Sequence, residues 1–502
     1  MPPDWIDLLT QVNADLGQSR SKTHLICGPK GSGKSTLCRL LLNSLHSAFH
    51  QQNSTRKRAL YLIDLDPGQP EFHPPGQISL TRVREFNFGV PFTHPSIQGS
   101  VAGSVIHSHF LGALSPRDDP EHYLRCVEHL FHKRRQFCQS DSADTVINCP
   151  GWIQGTGLEI LLRLITVSRA DRAVYTSNAG PQESIDALSI ECKRTHTVLQ
   201  QLSSPCSQQI TRSASELRNM HTMSYFHLTE PSNGNDVWDS RILTRGETIK
   251  VHFAGPQRIL FAVAIFGDEQ NAELLPDILV GSVVGLVVLN QDANLASRRG
   301  NDPLLSNQQE CDEYLHHEEG TNMIQAFDAP AEEQEPFAES QYAFLPQCSS
   351  DGIPFIAPIH RITRTPPPKS SSCVGQALIH SIDLKAQCFH ITTPVAPTDL
   401  KHGFDNGKKM IFVRGNLDTP AWAYREDFEY MQSRAAKQRL SHRDDDLQIE
   451  HDFDSDSQHE DDDLKRWVED QPWLSVSEAG SKRAKARKIR KDIRYKPRAE
   501  NI

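Results

Sequence analysis

The chain has 502 residues, enough for two or three domains, and a net charge of −10 that sits almost entirely in one stretch: Ser441 to Asp470 carries 13 Asp/Glu against 3 Lys/Arg. A hydrophobic fraction of 37% and a mean hydropathy of −0.50 are low for a chain packed throughout, so part of it is expected outside any core. The 11 cysteines form no CxxC pair and no Cys/His run at zinc-ligand spacing, and no signal peptide is evident, so they read as reduced intracellular thiols; the longest apolar run, Ile278 to Leu289, is too short for a bilayer and rich in β-branched residues, which excludes a membrane span there.

In chain order, Met1 to Arg20 predicts a short leading helix, Thr23 to Cys27 a strand, and Leu37 to Leu45 a helix. Ala59 to Ile63 is a second strand running into carboxylates, Thr145 to Asn148 a third, Leu158 to Ile165 part of the next helix, and Arg172 to Thr176 another strand. This alternation predicts an α/β fold with a parallel sheet. The polar stretch Pro231 to Asp239 marks a boundary, beyond which Ile249–Phe253, Ile259–Phe266, Ile278–Leu289, Ala377–Ile382, Cys388–Ile391 and Met410–Val413 read as strands of a smaller β-rich domain. Asn290 to Asp351, polar and acidic, reads as a disordered insertion, and Thr365 to Ser372 as a flexible stretch. The division is therefore 1–230 for a P-loop domain, 231–434 for the β-rich domain with insertion 290–351, and 435–502 for a disordered acidic-then-basic tail. The last basic run, Ser481 to Arg498, has 10 Lys/Arg against Asp492 alone. It reads as a solvated tail, a nuclear address or a phosphate-binding arm, and these are compatible.

The sharpest local signal is Gly28-Pro29-Lys30-Gly31-Ser32-Gly33-Lys34-Ser35, which fits G-x-x-x-x-G-K-[ST] between a strand and a helix that Thr36 continues. Glycines let backbone N–H groups turn inward around phosphate oxygens, and the helix N-terminus adds favourable dipole charge. Lys34 is placed to reach the β and γ oxygens and Ser35 to hold Mg²⁺. The expected ligand is ATP or another NTP; the motif does not name the reaction.

The next strand ends in Asp64-Leu65-Asp66-Pro67-Gly68-Gln69. Alternation puts Asp64 and Asp66 on one face, and Pro67-Gly68 ends the strand, so both acids are expected at its C-terminal edge, where open α/β sheets bind ligands. Phosphoryl transfer needs one carboxylate for the metal and one acceptor for the substrate hydroxyl proton. The pair can supply both, with the roles unassigned; the alternative is a metal-only strand serving an ordinary ATPase. No NKxD element is present, which argues against a guanine-specific GTPase.

Six blocks resemble the polynucleotide 5′-hydroxyl kinase family, in particular its eukaryotic branch acting in ribosomal RNA processing: GPKGSGKSTLCRLLLNSL (Gly28–Leu45), YLIDLDPGQPEFHPPGQISL (Tyr61–Leu80), HFLGALSPRDDPEHY (His109–Tyr123), NCPGWIQGTGLEIL (Asn148–Leu161), LRNMHTMSYFH (Leu217–His227) and FVRGNLDTPAWAYREDFEYM (Phe412–Met431). The resemblance implies that Asp64, Asp66 and Gln69 serve Mg²⁺ and the attacking hydroxyl. It implies that Cys149, Gly151 and Trp152 form a clasp on the triphosphate, with Cys149 in place of the family's threonine and so a weaker hydrogen-bond partner. It also implies a lid helix with two arginines, matched by Arg218 and, at wider spacing, by Arg212. Each arginine also reads as an ordinary surface residue, and Trp152 as packing.

The function implied is transfer of phosphate to the 5′-hydroxyl end of RNA, in the nucleus and in particular the nucleolus, beside an rRNA-processing endoribonuclease and away from membranes. Relatives place a separate domain before the P-loop domain, whereas about twenty residues precede the first strand here, which is expected to alter partner docking and RNA grip. The competing reading is a nucleotide-binding scaffold of an RNA-processing complex with little transfer; Cys149 favours it, and Lys34, Ser35, Asp64 and Asp66 oppose it.

Overall fold

The computed structural model describes residues 1–15, 21–51, 58–96, 103–137, 143–177, 180–205, 212–229, 237–266, 271–290, 346–356, 366–402, 408–418 and 420–446. Most of the expected insertion, residues 291–345, and of the tail, 447–502, lies outside the described residues. Met1–Tyr430 forms one compact unit, and a second unit starts at Met431.

The first half alternates helices and strands: α1 (Pro3–Asp15), β1 (Thr23–Cys27), α2 (Lys34–Gln51), β2 (Ala59–Asp64), β3 (Gln77–Val83), β4 (Gly103–Phe110), α3 (Pro120–Phe137), β5 (Ala143–Asn148), α4 (Thr156–Ser168), β6 (Arg172–Thr176), α5 (Gln182–Arg194), β7 (Val198–Leu202) and α6 (Ala214–His227). The strands form one sheet in the order β4-β3-β2-β5-β1-β6-β7. From β2 to β7 all pairs are parallel, whereas β3 and β4 add antiparallel. The expected parallel sheet is therefore present, with an antiparallel extension at one side. Every residue of β1, β2 and β5 is buried, as strands covered on both faces should be. The apolar stripe of α2, Leu37, Leu41, Leu42 and Leu45, packs with Trp5, Leu8 and Val12 of α1 over one face. The other face is covered by α3 and α4.

Beyond residue 237 come β8 (Ile249–His252), β9 (Leu260–Ile265), α7 (Leu275–Leu279), β10 (Val283–Leu289), β11 (Pro346–Cys348), β12 (Pro354–Ile356), β13 (Ser371–Asp383), β14 (Cys388–Thr392), α8 (Pro397–His402), β15 (Lys409–Arg414) and α9 (Ala421–Asp446). The strands form a second sheet ordered β11-β12-β9-β15-β10-β13-β14-β8. Four expectations shift. Ile278 and Leu279 end a short helix, and Gly281, with φ +73°, turns the chain before the strand begins at Val283. Pro346–Cys348, expected inside the insertion, pairs as β11 with β12. Ser371 and Ser372, expected in the flexible stretch, open β13, while Ala435–Asp446, expected in the tail, continue α9.

The second sheet docks on the β3–β4 side of the first. Ser108 Oγ donates to the Cys373 carbonyl (2.8 Å), Gln376 Nε2 to the Pro75 carbonyl (2.8 Å), and the Gln376 amide to the Tyr225 hydroxyl (2.9 Å). Gly112 (φ +62°) and Gly415 meet backbone to backbone, and the Asn416 amide donates to the Gly112 carbonyl at 2.6 Å.

Candidate active site

The chain leaves β1 at Cys27 and enters α2 at Lys34 through a turn that glycine makes possible: φ is +140° at Gly28, +79° at Gly31 and +90° at Gly33. Two neighbours brace this turn. Ser32 and Thr176, at the end of β6, share a hydroxyl hydrogen bond of 2.7 Å, and Thr176 donates to the Cys27 carbonyl at 3.2 Å. From the other side Trp5 of α1 lies against Gly33, its indole N–H donating to the Ser203 carbonyl at 2.9 Å. Lys34 Nζ donates to the Pro29 carbonyl at 2.9 Å, so the ammonium is folded over its own loop. Burial lowers the Lys34 pKa, with Asp66 and three neighbouring cysteines pulling it back up.

Lys30, Gly31, Gly33, Lys34, Ser35 and Thr36 line one wall of a cleft of about 560 Å³. Asp66, Gly68 and Gln69 from the loop after β2, Gly151 and Trp152 from the loop after β5, and Arg218 of α6 line the same cleft. The sequence thus points to residues that the fold brings together from four segments. Gly28, Pro29 and Ser32 do not line the cleft; they shape and brace the turn.

The two carboxylates separate. β2 ends at Asp64, and Asp66 already belongs to the loop. Asp64 is 2% exposed and does not line the cleft. Its oxygens accept from the Glu71 amide (2.7 Å), Asn148 Nδ2 (3.0 Å) and the Asp66 amide (3.3 Å), so it holds the loop that presents Asp66. Burial pushes the Asp64 carboxyl up to about 7, with the nearby Asp66 charge adding to the rise and the bonds from Glu71 and Asn148 opposing it. Burial also raises Asp66, against the opposing pull of Lys34. Neither carboxylate forms an ion pair among the described residues. Two hard-oxygen side chains, Ser35 and Asp66, line the cleft beside Lys34, which suits Mg²⁺.

Cys149 ends inside the core, 0% exposed, and does not line the cleft; its amide donates to the Ile26 carbonyl at 3.1 Å. Gly151 makes the close approach instead. A methyl carbon placed there would lie 2.9 Å from Lys30 Cα and 3.1 Å from Lys34 Nζ. Trp152 both lines the cleft and packs on the core, its indole lying over Gly157. Arg212, exposed just before α6, is not a lining residue, whereas Arg218 is. Sequence reasoning passed over Arg117, which lines the cleft from the loop after β4 although it stands within the quoted block His109–Tyr123.

A buried polar cluster forms around Glu71. Glu71 accepts two bonds from Arg39 of α2 (2.8 and 3.1 Å), one from Asn87 Nδ2 (2.6 Å) and one from His94 Nε2 (3.1 Å). Burial alone would raise the Glu71 pKa, but the bonds from His94 and Arg39 outweigh it and bring it down to about 2. His221 of α6 lies close enough to His94, His73 and Glu71 to feel their charges, so the helix that carries Arg218 rests on the same cluster as the Asp64–Glu71 loop.

Residues 28–228 match a family described as the mRNA cleavage and polyadenylation factor CLP1 P-loop. The chain is 34% identical over 493 residues to a polynucleotide 5′-hydroxyl-kinase grc3 of Aspergillus terreus, an alignment covering 95% of this chain and 59% of that one. It is 34% identical over 424 residues to the protein of the same name from Aspergillus niger, covering 84% and 51%. The chain thus spans between half and three-fifths of the length of these curated relatives. A solved Clp1p–Pcf11p complex overlays at 14% identity and a TM-score of 0.46, over 82% of this chain and 78% of that one.

Proposed function

We propose that this chain, whose residues 28–228 match the CLP1 P-loop family and whose curated relatives are polynucleotide 5′-hydroxyl-kinases, transfers the γ-phosphate of a nucleoside triphosphate to the 5′-hydroxyl of an RNA end. The observation that carries this reading is the convergence of Lys34, Ser35, Asp66 and Arg218 on one cleft. Backbone N–H groups of the glycine-rich turn and the α2 N-terminus face the phosphates, and Lys34 swings from the Pro29 carbonyl to the β and γ oxygens. Ser35 would hold Mg²⁺, which would supply charge neutralisation at the β and γ phosphates, leaving Asp66 to accept the proton. The 5′ oxygen bonds to the γ phosphorus as the bond to the β–γ bridging oxygen breaks, the diphosphate leaves, and the hydroxyl proton passes to a carboxylate. Asp66 is the carboxylate that meets the reacting groups, and Asp64 is a positioning residue. Arg218 and Arg117 supply positive charge where the transferred phosphoryl and the RNA phosphates lie.

The test is transfer of labelled γ-phosphate to a 5′-hydroxyl oligoribonucleotide by the purified full chain. Turnover is expected in the wild type and a loss of about 10²- to 10³-fold in Lys34→Ala, the scale typical of one electrostatic group aimed at the transition state. No transfer by the wild type, or wild-type turnover in the variant, overturns the reading.

The same reading extends to ribosomal RNA precursor processing in the nucleolus, beside an endoribonuclease that leaves 5′-hydroxyl ends. Its support is the family resemblance of Tyr61–Leu80 and Phe412–Met431 together with the basic run Lys482–Arg498. Localisation of the tagged chain with and without that run tests the nuclear part; an unchanged distribution refutes it as an address.

A further inference from the structure

The short-range spacing of Cys and His in the sequence gives no zinc pattern, but the fold assembles one from distant elements. His107 and His109 stand two apart on β4 and so share a face, and His129 of α3 crosses that face. One ring nitrogen from each lies within 4.8 Å of the other two, and this is the group of three metal-ligating side chains found among the described residues. The ring centroids are 4.7, 4.9 and 5.1 Å apart. His109 Nε2 and His129 Nδ1 are 3.0 Å apart, close to the separation of about 3.3 Å for two nitrogens on one tetrahedral ion at 2.0–2.1 Å. His109 and His129 are buried.

Two further observations point to a ligand. His107 Nε2 is buried with no hydrogen-bond partner. The His107 ring also bonds the backbone of Ser371 from the second sheet. A ligating histidine characteristically presents one nitrogen to the metal while the other is held by a carbonyl or carboxylate. The charges that reach the cluster are those of Lys133 on α3 and Lys369 before β13, of which Lys369 is exposed; both oppose a cation. With three imidazoles and no carboxylate the donor set selects a borderline transition metal over Mg²⁺ or Ca²⁺.

We propose that His107, His109 and His129 form a zinc-class metal site that ties α3 to β4 beside the docked second sheet, separate from the phosphate cleft. Bringing the widest of the ring-nitrogen separations, at most 4.8 Å, to about 3.3 Å asks for a shift of no more than about 1.5 Å.

The experiment uses the full chain stripped with a chelator and reloaded with Zn²⁺, Co²⁺ or Mg²⁺ alone. One zinc per chain is expected to survive gel filtration, and Co²⁺ is expected to give the visible bands of four- or five-coordinate imidazole ligation. Zn²⁺ but not Mg²⁺ should raise the midpoint of thermal unfolding. His107→Gln and His129→Gln, each checked for folding by circular dichroism, should weaken zinc binding at least about 10-fold. A wild-type chain that gives neither the cobalt bands nor a zinc-dependent shift overturns the proposal without reference to any variant. So does a folded variant that takes up zinc as the wild type does, which would place the metal elsewhere and leave the three histidines as packing.

Discussion

Gly151→Ala probes the cleft wall without touching charge. Gly151 does not adopt a positive φ, so alanine meets no conformational penalty at the site itself. The added methyl would lie 2.9 Å from Lys30 Cα, 3.0 Å from Lys30 N and 3.1 Å from Lys34 Nζ. Non-bonded carbons settle at about 3.5–4.0 Å, so the phosphate loop or the Gly151 loop must retreat by about 0.6–1 Å. A shift of about 1 Å in a positioning element costs up to about 10²-fold in rate, so we expect transfer to fall about 10- to 100-fold. The thermal midpoint should change little, because the cleft is open on that side and the loop can give. Single-turnover transfer with saturating nucleotide, alongside the nucleotide dissociation constant, separates chemistry from binding. A rate within about twofold of wild type in the folded variant would refute the reasoning: it would mean that Gly151 and the phosphate loop are not in register during the reaction.

Asp66→Asn should lower transfer more than Asp64→Asn in the same assay, since Asp66 lines the cleft while Asp64 spends its oxygens on Glu71, Asn148 and Asp66; equal losses would reassign the roles. Arg218→Ala should reduce turnover and Arg212→Ala should leave it near wild type, because only Arg218 faces the cleft; a larger loss in Arg212→Ala would move the lid contact. Glu71 is depressed from its ordinary 4.5 to about 2, so the folded state binds fewer protons than the unfolded state between these values. The stability this provides is present above about 4.5 and is lost as pH falls towards 2, on the order of a few kcal/mol. Glu71→Gln should therefore flatten the acid limb of stability against pH in urea titrations, and an unchanged slope would show that the cluster does not act through its charge.

Local chemistry was readable in the sequence where the determinants lie within a few residues. The strand, turn and helix of Thr23 to Leu45 declare themselves because glycine, lysine and serine must stand at fixed offsets around a phosphate. Alternation placed Asp64 and Asp66 on one face of one strand, but β2 ends at Asp64 and Asp66 lies in the loop beyond it. Alternation also failed to part their roles, because what parts them is Asn148, 84 positions from Asp64, and the Glu71 amide that claims the other oxygen. β3 and β4 escaped notice for a related reason. Their buried residues include Gln77, Ser79, Thr81, Ser108 and His109, and the partners of Ser108 and His109 stand on the second sheet and on α3, where no local window reaches. The Glu71–Arg39–His94–Asn87 cluster is likewise a product of the fold. Arg117 left a signal within its block, but an exposed arginine after a proline has no period or spacing to distinguish it.

The contact of Gly112 with Gly415 bears on how variation in this chain is to be read. A methyl on Gly112 would stand 2.7 Å from Gly415 Cα, and the backbones meet with no side chain able to yield. Both positions should therefore resist every substitution as stubbornly as Lys34, although neither lines the cleft. In a mutational scan they would score as essential, and a naive map of intolerance would draw the functional surface some way along the seam. What tells the two kinds of intolerance apart is the quantity lost: at the glycine seam soluble protein should disappear, whereas at Lys34 the protein should persist and only its turnover should vanish.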